Sequence, residues 1–152
     1  MQYRNYMHSE QVLDQLLLVT DTLAADMTRY LSARGLTTPK AHVLWSLRST
    51  GPSMQRRLST DLGYSPRHIT DLVDDLVALG LVQREPHPDD RRAVLVTLTE
   101  QGSRLLTELE EERAQFASQL FDHLDDPARG RLHASLTDIQ ARLQAALEEA
   151  GA

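Results

Sequence analysis

The run Leu58-Ser59-Thr60-Asp61-Leu62-Gly63-Tyr64-Ser65-Pro66-Arg67-His68-Ile69-Thr70 holds two helices and the sharp turn between them. Leu58 and Leu62, four residues apart, mark the inner face of a short helix over about 55–62. Gly63 breaks it, since a residue without Cβ adopts φ > 0 freely. Ser65 then caps a second helix, and Pro66 takes its first position, where a missing N–H costs nothing. The second helix carries Ile69, Leu72, Val73, Leu76 and Leu79 as its apolar stripe, and Gly80 caps its C-terminus.

Two short strands follow. Leu81-Val82-Gln83-Arg84-Glu85 is one; in the other, Val94, Val96 and Leu98 alternate with Leu95, Thr97 and Thr99. Pro86-His87-Pro88-Asp89-Asp90 links them, and the hairpin tip runs Pro88-Asp89-Asp90-Arg91-Arg92. Helix, tight turn, helix and basic hairpin, in that order over 53–99, make a winged helix-turn-helix. The predicted fold is therefore mainly α with a small β-wing.

Long helices flank this core. Val12, Leu16, Val19, Leu23, Met27 and Tyr30 or Leu31 recur at helical steps over 10–34, and Gly35 ends the run. Thr38 as N-cap and Pro39 at the first position open a helix with Val43, Leu44 and Leu47 inward, which stops before Gly51-Pro52. Thr99 caps a helix of about 100–121, with Leu105, Leu109, Phe116 and Leu120 inward. Asp125-Asp126-Pro127 opens the last, about 126–149, striped by Leu132, Leu136, Ile139, Leu143 and Leu147. Three long amphipathic helices in one small chain have more apolar surface than a monomer readily hides, so burial against a second copy is expected.

Bulk properties exclude several classes. The 152 residues contain no cysteine, which removes disulfides, thiolate catalysis and cysteine-based zinc or redox sites. His8, His42, His68, His87, His123 and His133 form no pair at i, i+3 or i+4, so no metal site is expected. No Gly-rich phosphate loop, nucleophile elbow or acid/base dyad is present, so neither an enzyme nor a bound cofactor is expected. No apolar run reaches membrane-spanning length and residues 1–10 lack a signal peptide's apolar core, which predicts a cytoplasmic protein without a membrane partner. The net charge is −6, and residues 93–152, with 5 Arg/Lys against 11 Asp/Glu, account for all of it. Screening over about 8–10 Å means that such a tail does not veto a distant polyanion-binding face.

The candidate site is the start of the second helix with the hairpin tip. Ser65, Arg67, His68 and Thr70 occupy the part of such a helix that reaches base edges. Arg67 has the geometry for two hydrogen bonds to a guanine; Thr70 suits a phosphate or a thymine methyl. Asp90, Arg91 and Arg92 sit at the tip, where a slim loop enters a minor groove and a carboxylate orients a neighbouring guanidinium. Taken alone, Arg67 and His68 read equally as solvated residues of an amphipathic helix, and Pro-Asp-Asp as ordinary turn chemistry.

Gly51-Pro52-Ser53-Met54-Gln55-Arg56-Arg57-Leu58, Asp61-Leu62-Gly63, Leu72-Val73-Asp74-Asp75-Leu76 and Gly80-Leu81-Val82 together resemble the winged-helix core of MarR-type transcriptional regulators. Asp90-x-Arg92-x-x-x-Val96-x-Leu98-Thr99 looks like that family's wing motif. The resemblance covers about 10–147 and implies a homodimer. Residues 1–36 and 100–152 would supply intertwined dimerisation helices, and 37–99 the DNA-binding domain. Arg92 would probe the minor groove while Asp90 steadies the wing. The resemblance also implies a small aromatic or phenolic effector, for which Met27, Tyr30, His42, Trp45 and Arg48 are candidate contacts. Trp45 as core and His42 as a satisfied buried or rim histidine is the plainer reading of that pair.

Two departures from the family pattern stand out. Asp71 and Asp75 are acidic where relatives are often basic, and they share a helix face. Met54 stands where a Thr or Ser cap is common, with Ser53 as the expected substitute. The leading expectation is a ligand-responsive transcriptional regulator, a repressor binding double-stranded DNA at a pseudo-palindromic operator. The alternative is a dimeric ligand- or protein-binding module whose winged helix has lost strong DNA binding.

Overall fold

The computed structural model describes residues 8–90 and 93–151. Its elements run α1 (Ser9–Ser32), α2 (Thr38–Thr50), α3 (Gln55–Leu62), α4 (Pro66–Ala78), β1 (Val82–Pro86), β2 (Val94–Leu98), α5 (Glu100–Phe121) and α6 (Asp126–Gly151). The chain divides into two compact units, Met1–Leu106 and Thr107–Ala152.

Within the first unit, Ala41, Val43, Leu44 and Leu47 of α2 are buried, as are Leu58 of α3 and Ile69, Leu72, Val73 and Leu76 of α4. Leu81, Val82 and Val96 from the hairpin are buried too. Each such side chain contributes roughly 1.5–3 kcal/mol by leaving water, so this cluster dominates the unit's stability. β1 and β2 pair antiparallel, from Val82↔Leu98 to Pro86↔Val94.

Local chemistry explains the helix ends. Thr37 caps α2: its backbone is extended and its side chain accepts from the Lys40 N–H, which corrects the expectation that Thr38 does so. Thr38 and Pro39 are consequently the first two helical residues. Gly63, at φ 68°, ends α3 in the left-handed region, as the turn requires. At the start of α4 the Ser65 hydroxyl accepts from the His68 N–H at 3.2 Å, the expected cap. α4 ends at Leu79, whose N–H donates to Asp75, and Gly80 is the residue beyond the cap.

Several burial expectations need correction. Leu79, the residue that follows α4, is 40% exposed. On α5 it is Leu106 and Leu109 that are buried; Leu105 is half-buried, and Phe116 and Leu120 are exposed. Ser53 does not cap α3. Met54 holds the N-cap position with no side-chain hydrogen bond, and the Ser53 hydroxyl donates to the Gly51 carbonyl instead. Ser53 is engaged elsewhere: its N–H and C=O exchange hydrogen bonds with Val96 at 3.1 and 2.9 Å, an isolated antiparallel bridge beside the two-stranded wing sheet. β2 buries Val96 and Thr97 together rather than alternating.

Val12, Leu13, Leu17, Leu18, Val19, Leu23 and Met27 of α1 are all exposed, and only Leu31 of that helix is buried. In the second unit the α6 stripe Leu132, Leu136, Ile139, Leu143 and Leu147 is likewise exposed. Also on α6, Asp138 accepts a hydrogen bond from Arg142 and, with its charge, holds that guanidinium above its ordinary pKa. No helix among the described residues is long and apolar enough to cross a membrane.

Candidate nucleic-acid interface

α4 has one buried and one exposed face. Behind it lie Ile69, Leu72, Val73 and Leu76 in the core. In front, Arg67 and His68 are exposed on the first turn. Pro66 has no N–H and the His68 N–H is taken by Ser65, so the remaining Arg67 N–H and the partial positive charge of that turn favour an anion such as phosphate. Thr70 is also exposed, but its one hydroxyl hydrogen is shared between Gln55 Oε1 at 3.1 Å and the Pro66 carbonyl at 3.0 Å. That leaves its methyl as the outward contact and ties α4 to α3.

The acidic residues of α4 are arranged to limit their effect. Asp75 accepts from Lys40 Nζ at 2.9 Å, and Lys40 is only 16% exposed. Asp74 pairs with Arg84 on β1. Both carboxylates therefore neutralise cations of the same unit. Asp71 stays exposed on the outer face.

The wing is a closed hairpin. The His87 N–H donates to the Ala93 carbonyl at 3.0 Å, and the Ala93 N–H donates to the Asp90 carbonyl at 2.9 Å. His87 Nδ1 accepts from the Asp89 N–H at 3.1 Å. Asp90 is thus a turn residue at the tip, while Arg91 and Arg92 lie outside the described residues.

The proposed effector residues divide. His42 and Trp45 sit together with ring centroids 6.4 Å apart, and with Ser46, Ser49 and Leu62 they line an open depression of about 480 Å³. Met27, Tyr30 and Arg48 are not among its lining residues. The Tyr30 ring instead carries the Arg34 guanidinium 4.0 Å above it. Trp45 is half-buried and His42 exposed, so neither is plain core. Sequence reasoning missed Tyr64, which joins His42 to His68; its position directly after the turn glycine is the signal that could have found it. Among the described residues no cluster of three or more His, Cys, Asp or Glu could hold a metal ion.

A helix behind a tight turn, a two-stranded wing and long flanking helices define a winged helix-turn-helix protein. The MarR family pattern matches residues 36–94. The HTH-type transcriptional repressor IacR of Pseudomonas putida is 30% identical over 119 residues, 78% of this chain and 71% of that protein. The multiple antibiotic resistance protein MarR of Escherichia coli is 37% identical over 83 residues, 52% of this chain and 55% of that one. The crystal structure of RV1404 from Mycobacterium tuberculosis matches with a TM-score of 0.77 at 26% identity, covering 92% of this chain and 97% of that chain. This chain belongs to the MarR family. It spans about half the length of several curated relatives that it matches.

Proposed function

We propose that this chain is a cytoplasmic, ligand-responsive transcriptional regulator, a repressor that binds a pseudo-palindromic operator as a homodimer. The observation that carries this reading is the first turn of α4: capped by Ser65, locked to α3 through Thr70 and Gln55, and exposing Arg67 and His68. In duplex DNA this turn lies in the major groove. Arg67 donates two hydrogen bonds to a guanine, His68 reads a neighbouring base edge, and the Thr70 methyl meets a thymine. Arg92 probes the minor groove and Asp90 steadies the wing, as the family resemblance implies.

Residues 37–99 are the DNA-binding domain. The helices of 1–36 and 100–152 form the dimerisation region, and the exposed apolar residues of α1 and α6 support this, since surface of that kind is rarely left to water. A dimer places two reading helices on successive major grooves, about 34–36 Å apart. The effector, a small aromatic or phenolic compound, rests in the depression at His42 and Trp45. It acts by favouring one spacing of the reading helices over another. The pairing of Asp74 and Asp75 with Arg84 and Lys40 weighs against a module that has given up DNA, because it removes two carboxylates from the field that the phosphates meet.

Fluorescence anisotropy with the chain's own upstream DNA and a scrambled duplex, over a salt series, tests the proposal. Specific binding at two protomers per site, with a steep negative log–log salt slope, is expected. Equal, weak binding to the upstream duplex, the scrambled duplex and every fragment of a genome-wide selection refutes it.

A further inference from the structure

Three helices meet at one residue, Tyr64, two of them at its side chain and one at its backbone. Its carbonyl accepts from the Ser59 hydroxyl of α3 at 2.6 Å. Its phenolic oxygen lies 2.9 Å from Nδ1 of His42 on α2, with the two rings stacked 6.3 Å apart at 14°. Its ring meets His68 of α4 edge-on, 5.2 Å between centroids at 84°. We propose that Tyr64 is a positioning residue for DNA reading: anchored by His42 and Ser59, it fixes the imidazole of His68 in the groove-facing turn of α4. The inference rests on the assignment of α4 as the reading helix.

The physical argument is preorganisation. An exposed imidazole ordinarily samples several rotamers, and ordering it on binding costs affinity. Aromatic pairs at this separation favour an edge-on arrangement because the electropositive ring edge meets the electronegative face. A Tyr64 ring that is itself free to turn would pass its own disorder to His68. The His42 hydrogen bond stops the phenol end, and the Ser59 bond stops the backbone end. His68 therefore reaches DNA with its orientation already chosen, so the gain falls on discrimination between sequences rather than on general attraction to phosphate. His42 also lines the depression beside Trp45, so an occupant that takes the His42 hydrogen bond loosens His68 through a single intervening ring.

Tyr64→Phe tests this, since it keeps the ring and removes only the hydroxyl. The full chain is titrated with its selected operator duplex and a scrambled duplex at one salt concentration, for wild type, Tyr64→Phe, His68→Ala and the double variant. The expected result is a loss of about tenfold in the operator-to-scrambled affinity ratio for Tyr64→Phe, with scrambled-duplex affinity unchanged. In the His68→Ala background the same change is expected to add nothing. In the free protein, Tyr64→Phe should shift the His68 ring resonances in proton–carbon NMR spectra. Equal losses on both duplexes, the same loss with and without His68, or unmoved His68 resonances would each overturn the role. A wild-type chain that does not distinguish the duplexes overturns the DNA-reading assignment itself. In that event the NMR spectra still report whether Tyr64 fixes His68.

Discussion

Gly102→Ala sets two well-known effects against each other. Helix propensity alone makes alanine better than glycine inside α5 by about 1 kcal/mol. The surroundings dictate the reverse. A Cβ on Gly102 would lie 2.1 Å from the Leu81 carbonyl oxygen and 3.0 Å from its carbon. Ordinary carbon–oxygen contacts begin at about 3.3 Å, so the first turn of α5 has to retreat by roughly 1 Å. Three hydrogen bonds hold it in place. The Thr99 N–H donates to Leu81 at 3.1 Å, the Thr99 hydroxyl donates to Gly80 at 2.7 Å, and the Gly102 N–H donates to Thr99 Oγ1 at 3.0 Å. Overpacking costs about 1–3 kcal/mol and each strained hydrogen bond about 1 kcal/mol. With all three bonds strained, and after the propensity gain is subtracted, a net loss of about 3–5 kcal/mol is expected, or about 6–20 °C in the thermal midpoint. Gly130→Ala on α6 is the control, because nothing lies within 4 Å of its added Cβ. That variant should gain up to about 1 kcal/mol. Circular dichroism melts at a single protein concentration read both. If Gly102→Ala raises the midpoint as Gly130→Ala does, the close packing of α5 on Leu81 is wrong.

Ser65→Ala should cost about 1 kcal/mol in urea titrations, since it leaves the His68 N–H without its cap, and should weaken operator binding in anisotropy. Lys40→Met should reduce operator affinity by exposing the charge of Asp75 to the phosphates, while Asp75→Asn added to it should restore binding; failure of the restoration separates the charge from a packing role for Lys40. Leu18 is 61% exposed on α1. Leu18→Glu should move the sedimentation coefficient from that of two chains to that of one, and an unchanged value would place the dimer contact elsewhere.

The helix-turn-helix was legible because its signals are local. Gly63 and the Ser65-Pro66 pair act within a few residues, and the α4 stripe through Leu76 is a periodicity of one helix. What sequence could not show depends on residues far apart in the chain. Ser53 looks like a failed cap; it is a bridge residue because Val96 lies across from it. Gly102 looks like an ordinary helix glycine until the Leu81 backbone is brought against it. Asp75 reads as a defect in a DNA-facing helix until Lys40, 35 positions earlier, is seen to hold it. Leu105 and Leu106 differ by one helical step, and only the neighbours decide which is buried. The hairpin's ladder was expected from alternation, yet the consecutive Val96 and Thr97, which point to opposite faces of β2, are both buried.

The order of charges along α4 runs against helix stability, and this suggests what the helix is for. Cations are favoured near a helix C-terminus and anions near the N-terminus, each by about 0.3–1 kcal/mol. α4 has Arg67 in its first turn, no acidic residue there, and Asp74 and Asp75 towards the other end with no basic residue in the last turn. The two aspartates are offset by Arg84 and Lys40, which lie outside the helix. An exposed arginine at the positive end of the dipole is favoured by a nearby polyanion. Arg67→Glu therefore has opposite consequences in two measurements. The free protein should become more stable by about 1 kcal/mol, as an unfavourable charge gives way to a favourable one. Operator affinity should fall to that of scrambled duplex, through loss of the guanine contact and added repulsion from phosphate. A charge that merely decorates a solvated helix would give the gain in stability without the loss of binding, and that outcome would remove α4 from the interface.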